Sequence, residues 1–376
     1  MIFNKTDILI PKESIDMQKW SCIACDQHTS EPEYWDALKR YIGDTPSTLN
    51  MILPEAYLNS TDAPSPELLN ANMQKYLDEG IFDIIKDSFI YLERTLPSGV
   101  IRRGLIGAID LDEYDYSANS ISRIRATEGT VEDRLPPRVA IRKAAPLELP
   151  HVMVFINDKV NMLIGSCRDF VKMNFDGIRK IYDFDLNSNG GHVSGYAFQG
   201  IAANAIEAEI KSLEDNSENI FLAVGDGNHS LATAKKCGDK YALVEIVNIL
   251  DDSIVFEPIH RVIFDTDTTD FEKQFNSKIR KVFQGKNSYG QTVQNAEDFC
   301  REYIKAHGGK IDYIHNDETA IEMAKRSGCV TIMLPALNKQ ELFESIEHFG
   351  PYPKKSFSIG HADEKRFYLE CRRINN

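Results

Sequence analysis

Phe221-Leu222-Ala223-Val224-Gly225-Asp226-Gly227-Asn228-His229-Ser230-Leu231-Ala232-Thr233-Ala234-Lys235 reads as a short buried strand, a tight glycine loop and a helix. Glycines let backbone N–H groups turn toward a ligand, and a helix N-terminus adds partial positive charge, so the segment suits an anion. In an open α/β sheet, ligands collect at the carboxyl ends of strands, where this loop falls. Gly225, Gly227 and Asn228 would hold a phosphate, and His229 would donate to one of its oxygens. Asp226 would bind Mg²⁺ or take a proton. The same residues also suit a plain structural turn in which Asp226 or Asn228 caps the helix.

Working outward, Ser65-Pro66-Glu67 is a helix start, followed by Leu69, Met73 and Leu77 at helical spacing and a stop at Gly80. Ile206, Ile210 and Leu213 form a second apolar stripe, and a third helix runs from about Thr292 to His307. Runs 151–156 and 160–164 flank Asn157-Asp158-Lys159, which predicts a hairpin. Runs 221–224, 241–250, 254–264 and 329–334 read as further strands, apolar enough for a covered sheet. The fold class expected is α/β, in the mixed α+β sense. Composition places a main domain at 1–265, a helical or mixed subdomain at 266–325, and a return to the main domain at 326–376.

A second segment, 122–143, reverses the local charge. Arg123, Arg125, Arg134, Arg138, Arg142 and Lys143 stand against Glu128, Glu132 and Asp133. Guanidinium forks grip phosphate in pairs of hydrogen bonds, which makes Arg123, Arg125 and Arg134 candidate phosphate ligands. Glu128, beside Gly129, would act as a general base if partly desolvated. The alternative is a solvated face paired with acids elsewhere. A third segment, Pro353-Lys354-Lys355-Ser356 with Gly360 and His361, adds Lys355 as a weaker phosphate contact. His260 reads as a satisfied core histidine, and Asn189-Gly190-Gly191-His192 as a flexible loop. Cys25-Asp26-Gln27-His28 is a polar group of open role.

Composition sets limits. The 376 residues carry a formal net charge of −14, which disfavours direct nucleic-acid binding. No apolar run approaches membrane length and the start lacks a secretory pattern, so the expectation is a soluble cytoplasmic protein. Seven dispersed cysteines suit reduced thiols; Cys22 and Cys25 make one C-x-x-C without a second pair to complete a zinc site. The hydrolase elbow, Walker A, kinase catalytic-loop and zincin signatures are missing from the sequence.

In the order of its blocks the chain resembles the bacterial and archaeal domain-of-unknown-function family 1015. The blocks are Thr127-Glu128-Gly129-Thr130 with Asp133-Arg134-Leu135, then Ala223 to His229, then Glu257-Pro258-Ile259-His260-Arg261, then Pro353-Lys354-Lys355-Ser356. That family's central block, usually Asp-Gly-His-His-Arg, is similar to the loop of ParB-like folds, including the free serine kinases. Asp226, Gly227 and His229 match it, whereas Asn228 replaces the first histidine and Ser230 the arginine. The resemblance implies a ParB-like, serine-kinase-like core sheet and a nucleotide-dependent kinase for a small hydroxyl metabolite such as free L-serine. ATP or ADP with Mg²⁺ on Asp226 would be its cofactors, and Glu128 its base. A non-catalytic nucleotide-binding switch and a phosphatase using the same pocket are the rival expectations. A small molecule is the expected partner, and a homo-oligomer is left open.

Overall fold

The computed structural model describes residues 1–374 except 59, 61–62, 131, 280–287 and 316. The chain divides into two compact units. The first comprises Met1–Ala126, Thr130–Ile254 and His361–Asn376, and the second Thr127–Gly129 and Val255–Gly360.

The first unit is built on a mixed sheet of eleven described strands. From one edge the order runs Ile178–Asp185, His192–Phe198, Phe82–Thr95, Ile101–Asp110, Tyr241–Asn248, Met153–Ile156, Leu222–Asp226, Ile124–Ala126 and Tyr114–Asp115. Phe3–Asn4 and Thr6–Pro11 pair beside this path. Most pairs are antiparallel, but Leu222–Asp226 runs parallel to Ile124–Ala126, and Tyr241–Asn248 parallel to Met153–Ile156. The fold is therefore α/β with a mixed sheet, as expected.

Side chains alternate across the sheet and each face is covered. Tyr91, Leu105, Val154 and Val244 meet Leu163, Cys167, Ile206, Ile210 and Leu231 from helices Met162–Lys172, Gly200–Asn216 and Asn228–Cys237. Ile90, Leu92, Ile106 and Leu243 face the other way, onto Trp35 and Leu38 of helix Pro32–Ile42 and onto Phe367 to Leu369. The hairpin expected at 151–164 is not formed. Asp158 accepts the Leu163 N–H at 2.9 Å and so starts helix Met162–Lys172, which turns the second apolar run into a helix.

In the second unit, His260–Phe264 is the middle strand between Lys310–Ile314 and Val330–Ile332. This strand was assigned to the main domain by composition, so the unit begins earlier than 266 and ends later than 325. Helix Tyr289–His307 starts with a reciprocal Ser288–Gln291 capping box and packs Val293, Phe299 and Tyr303 around Ile263 and Phe271. Residues 280–287 and 316 of the expected subdomain lie outside the described residues.

Candidate functional site

The strand Leu222–Asp226 ends in an irregular register with Met153, and Gly227 then caps the following helix. Gly227 has φ +80°, in the left-handed region, and a Cβ there would lie 3.0 Å from the Val152 Cα. Glycine thus satisfies both the turn and the close approach. The first-turn N–H groups of helix Asn228–Cys237 have no intrahelical acceptor, so they and the helix dipole point out of its start. Asn228 Oδ1, buried at this end, has no hydrogen-bond partner among the described residues.

Asp226 receives the Gly227 N–H at 3.0 Å on Oδ1 and Lys365 Nζ at 3.2 Å on Oδ2. Lys365 is pinned by its own backbone. Arg94 and Arg102 donate to carbonyls of residues 363–365, and Arg366 bridges Glu245 at 2.7 Å and Glu370 at 2.6 Å. Gly104 leaves the space that the Glu245 carboxylate fills. Burial pushes Arg94 down to about 9, and pushes Arg102 down as well.

His151, directly before Val152, completes the site. Tyr368 Oη lies 2.7 Å from His151 Nδ1 and accepts the Cys25 N–H at 3.3 Å. Burial holds the phenol well above its ordinary range, so it keeps its proton. His151 Nε2 faces Asp26 Oδ2 at 3.8 Å and Ser230 Oγ at 3.5 Å. Burial alone would raise the Asp26 carboxyl, but His151, Gln27 and Lys365 hold it below the ordinary range. Ser230 and Asp26 share one ring nitrogen, whereas a nucleophilic triad needs them on opposite nitrogens. The cluster is therefore not a serine-hydrolase relay.

The expected residues distribute as follows. Gly225, Asp226, Gly227, Asn228 and His229 fall together at the loop. Arg125 lies opposite Ala223 on the adjacent parallel strand, buried, with its Nε–H on the Ser122 carbonyl. Arg123 sits at the amino end of that strand, roughly 16 Å from the loop at strand rise. Its guanidinium bonds the Glu214 carbonyl and Ser217 at the end of helix Gly200–Asn216. Arg134 is exposed, Arg138 pairs with Glu55, and Arg142 pairs with Glu148 and Asp239. Glu128 and Lys355 belong to the second unit. There Glu128 Oε1 accepts the Ser356 N–H at 3.1 Å, and Lys355 is exposed with φ +58°.

His260 is a core histidine, accepting the Leu334 N–H on Nδ1 and meeting Asp317 at 2.7 Å. Cys22 and Cys25 are free thiols, raised by burial to about 12 and about 11. Sequence reasoning missed His151, Lys365 and Tyr368. A faint signal existed in Lys365-Arg366, two cations entering the apolar stretch Phe367-Tyr368-Leu369.

A metal is not built in. Both Asp226 oxygens already carry donors, and among the described residues no group of three or more His, Cys, Asp or Glu could hold an ion. Among the described residues no helix is long and apolar enough to cross a membrane.

A model of the family described as Protein of unknown function (DUF1015) matches residues 9–373. No curated protein matches the chain. Among solved structures, a free serine kinase in complex with AMP is 11% identical and covers 71% of this chain and 90% of that one, at TM-score 0.41. SbnI with a C-terminal truncation, from Staphylococcus aureus, is 10% identical over 70% and 82%, at TM-score 0.37. A conserved hypothetical protein from Pyrococcus furiosus is 10% identical over 68% and 90%, at TM-score 0.35. At these scores the likeness says nothing of chemistry.

Proposed function

The chain belongs to the DUF1015 family, and on that premise we propose that its first unit anchors a phosphate group at residues 226–230 and transfers a phosphoryl group to a small hydroxyl compound. One observation carries the reading. A helix start capped by a left-handed glycine stands beside a lysine that is held in place by two buried arginines. Phosphoryl transfer is mostly positioning and charge neutralisation, which this arrangement suits.

In this reading the loop amides and Lys365 hold the phosphate oxygens of ATP or ADP. The acceptor oxygen attacks the terminal phosphorus, the bond to the nucleotide's bridging oxygen breaks, and the nucleotide leaves with one phosphate fewer. Asp26, ionised at neutral pH, accepts the acceptor's hydroxyl proton. His151 Nε2–H donates to a phosphate oxygen, and the Asn228 amide end orients the hydroxyl. This gives the base role to Asp26, because Glu128 is engaged with Ser356 in the second unit. Lys365 supplies the charge that Mg²⁺ on Asp226 was expected to supply, and no step passes through the metal.

The test is a transfer assay with ATP and with ADP across hydroxyl acceptors, L-serine first. Wild type should turn over one of them, and Asp26→Asn and Lys365→Met should each lower kcat/KM by roughly 100-fold. Normal nucleotide binding without turnover on any acceptor would favour the switch, and phosphate release from monoesters the phosphatase.

A further inference from the structure

Next to the loop lies a cavity of about 140 Å³ that the phosphate reading does not use. Its walls are Met51, Ile52, Met73, Ile141, Leu147 and Leu243. It reaches the loop through His151, Val152 and Ser230, and Val152 is the residue whose backbone abuts Gly227. The charged residues on its rim are spent on one another: Arg138 on Glu55, and Arg142 on Glu148. The Leu243 N–H is taken by Glu148 Oε1 at 2.9 Å. A guest therefore meets hydrocarbon and finds few open hydrogen-bond partners, which disfavours a purine.

We propose that this cavity binds an apolar, benzene-sized group of the ligand whose anionic end lies at Ser230 and His151. Enclosed apolar cavities of about this size accept benzene, and this one, open to solvent on one side, offers a mostly hydrocarbon wall to the same guest. The proposal rests on the phosphate reading for the ligand's other end, and it makes the true substrate bulkier and more apolar than serine. Filling the cavity removes hydrocarbon from water against a mostly apolar wall.

The probes are inorganic phosphate, phenyl phosphate, AMP and toluene, each titrated against the full chain by calorimetry and melting temperature. Phenyl phosphate should bind at least about tenfold more tightly than inorganic phosphate. Ala242 also lines the cavity; Ala242→Leu, which fills it, should erase that preference while leaving inorganic phosphate binding intact, and Met73→Phe serves if the first variant does not fold. Equal affinity for the two phosphates overturns the proposal, as does a preference that survives both filled variants. AMP binding more tightly than phenyl phosphate overturns it in favour of a purine. If toluene stabilises wild type and not the filled variants while no phosphate binds, the cavity assignment stands and the phosphate reading falls.

Discussion

The Tyr368 hydroxyl lies 2.7 Å from His151 Nδ1 and accepts the Cys25 N–H at 3.3 Å. The proposed donor role of His151 requires hydrogen on Nε2, the form in which the phenol gives its proton to Nδ1. Tyr368→Phe removes that constraint. Imidazole ¹⁵N spectra of wild type should show the Nε2–H form, and the variant should populate the other tautomer. Stability should drop by about 1–2 kcal/mol, because the part-buried Cys25 amide loses its acceptor. An unchanged tautomer in the variant would remove Tyr368 from the account.

Glu148 ties three segments together, meeting Arg142 at 2.6 Å, Arg372 at 2.5 Å and the Leu243 N–H. Burial would raise its carboxyl, but the two guanidiniums hold it below the ordinary range. Its contribution is then fully present above the unfolded value of about 4.3 and is lost as pH falls through the lower folded value. Glu148→Gln should destabilise by about 3 kcal/mol at pH 7. Urea titrations from pH 7 to pH 3 should show the gap between wild type and variant closing below about pH 4. A pH-independent gap would contradict the ion-pair assignment.

Gly227→Ala forces a side chain into a left-handed residue and against Val152. It should cost about 1–2 kcal/mol in denaturant midpoint, with weaker phosphate binding than wild type. An alanine variant as stable as wild type, with unaltered binding, would mean that the turn is not as described.

The thiols of Cys22 and Cys25 should stay silent. With values near 12 and 11, at most about one Cys25 in a thousand is a thiolate at pH 8. Native protein should resist alkylation at both positions for as long as it stays folded, whereas denatured protein should react at once. Fast native labelling would contradict the burial of Cys22 and the raised thiol of half-buried Cys25.

The strand, loop and helix around Asp226 were legible because three local signals agree there: an apolar run, a glycine pair and a helical apolar pattern. The 160–164 stretch was not, because its apolar residues fit a strand equally well until the Asp158 carboxylate, accepting the Leu163 N–H, favours a helix. The arginine run misled for a different reason. Its positive charge is local in sequence, but Glu55, Glu148, Glu214 and Asp239 are brought to it by the fold. His151, Lys365 and Tyr368 are single residues more than two hundred positions apart at the extremes, and no periodicity joins them. The second unit's start was misplaced because an apolar strand does not announce which sheet it joins.

Backbone amide spectra of ¹⁵N-labelled protein titrated with ADP read the anchoring of phosphate most directly. The account predicts saturable shifts at Gly227, Asn228 and Ser230 that Lys365→Met weakens by an order of magnitude or so. Saturation that leaves these amides unmoved, or no binding at millimolar ADP, would contradict it.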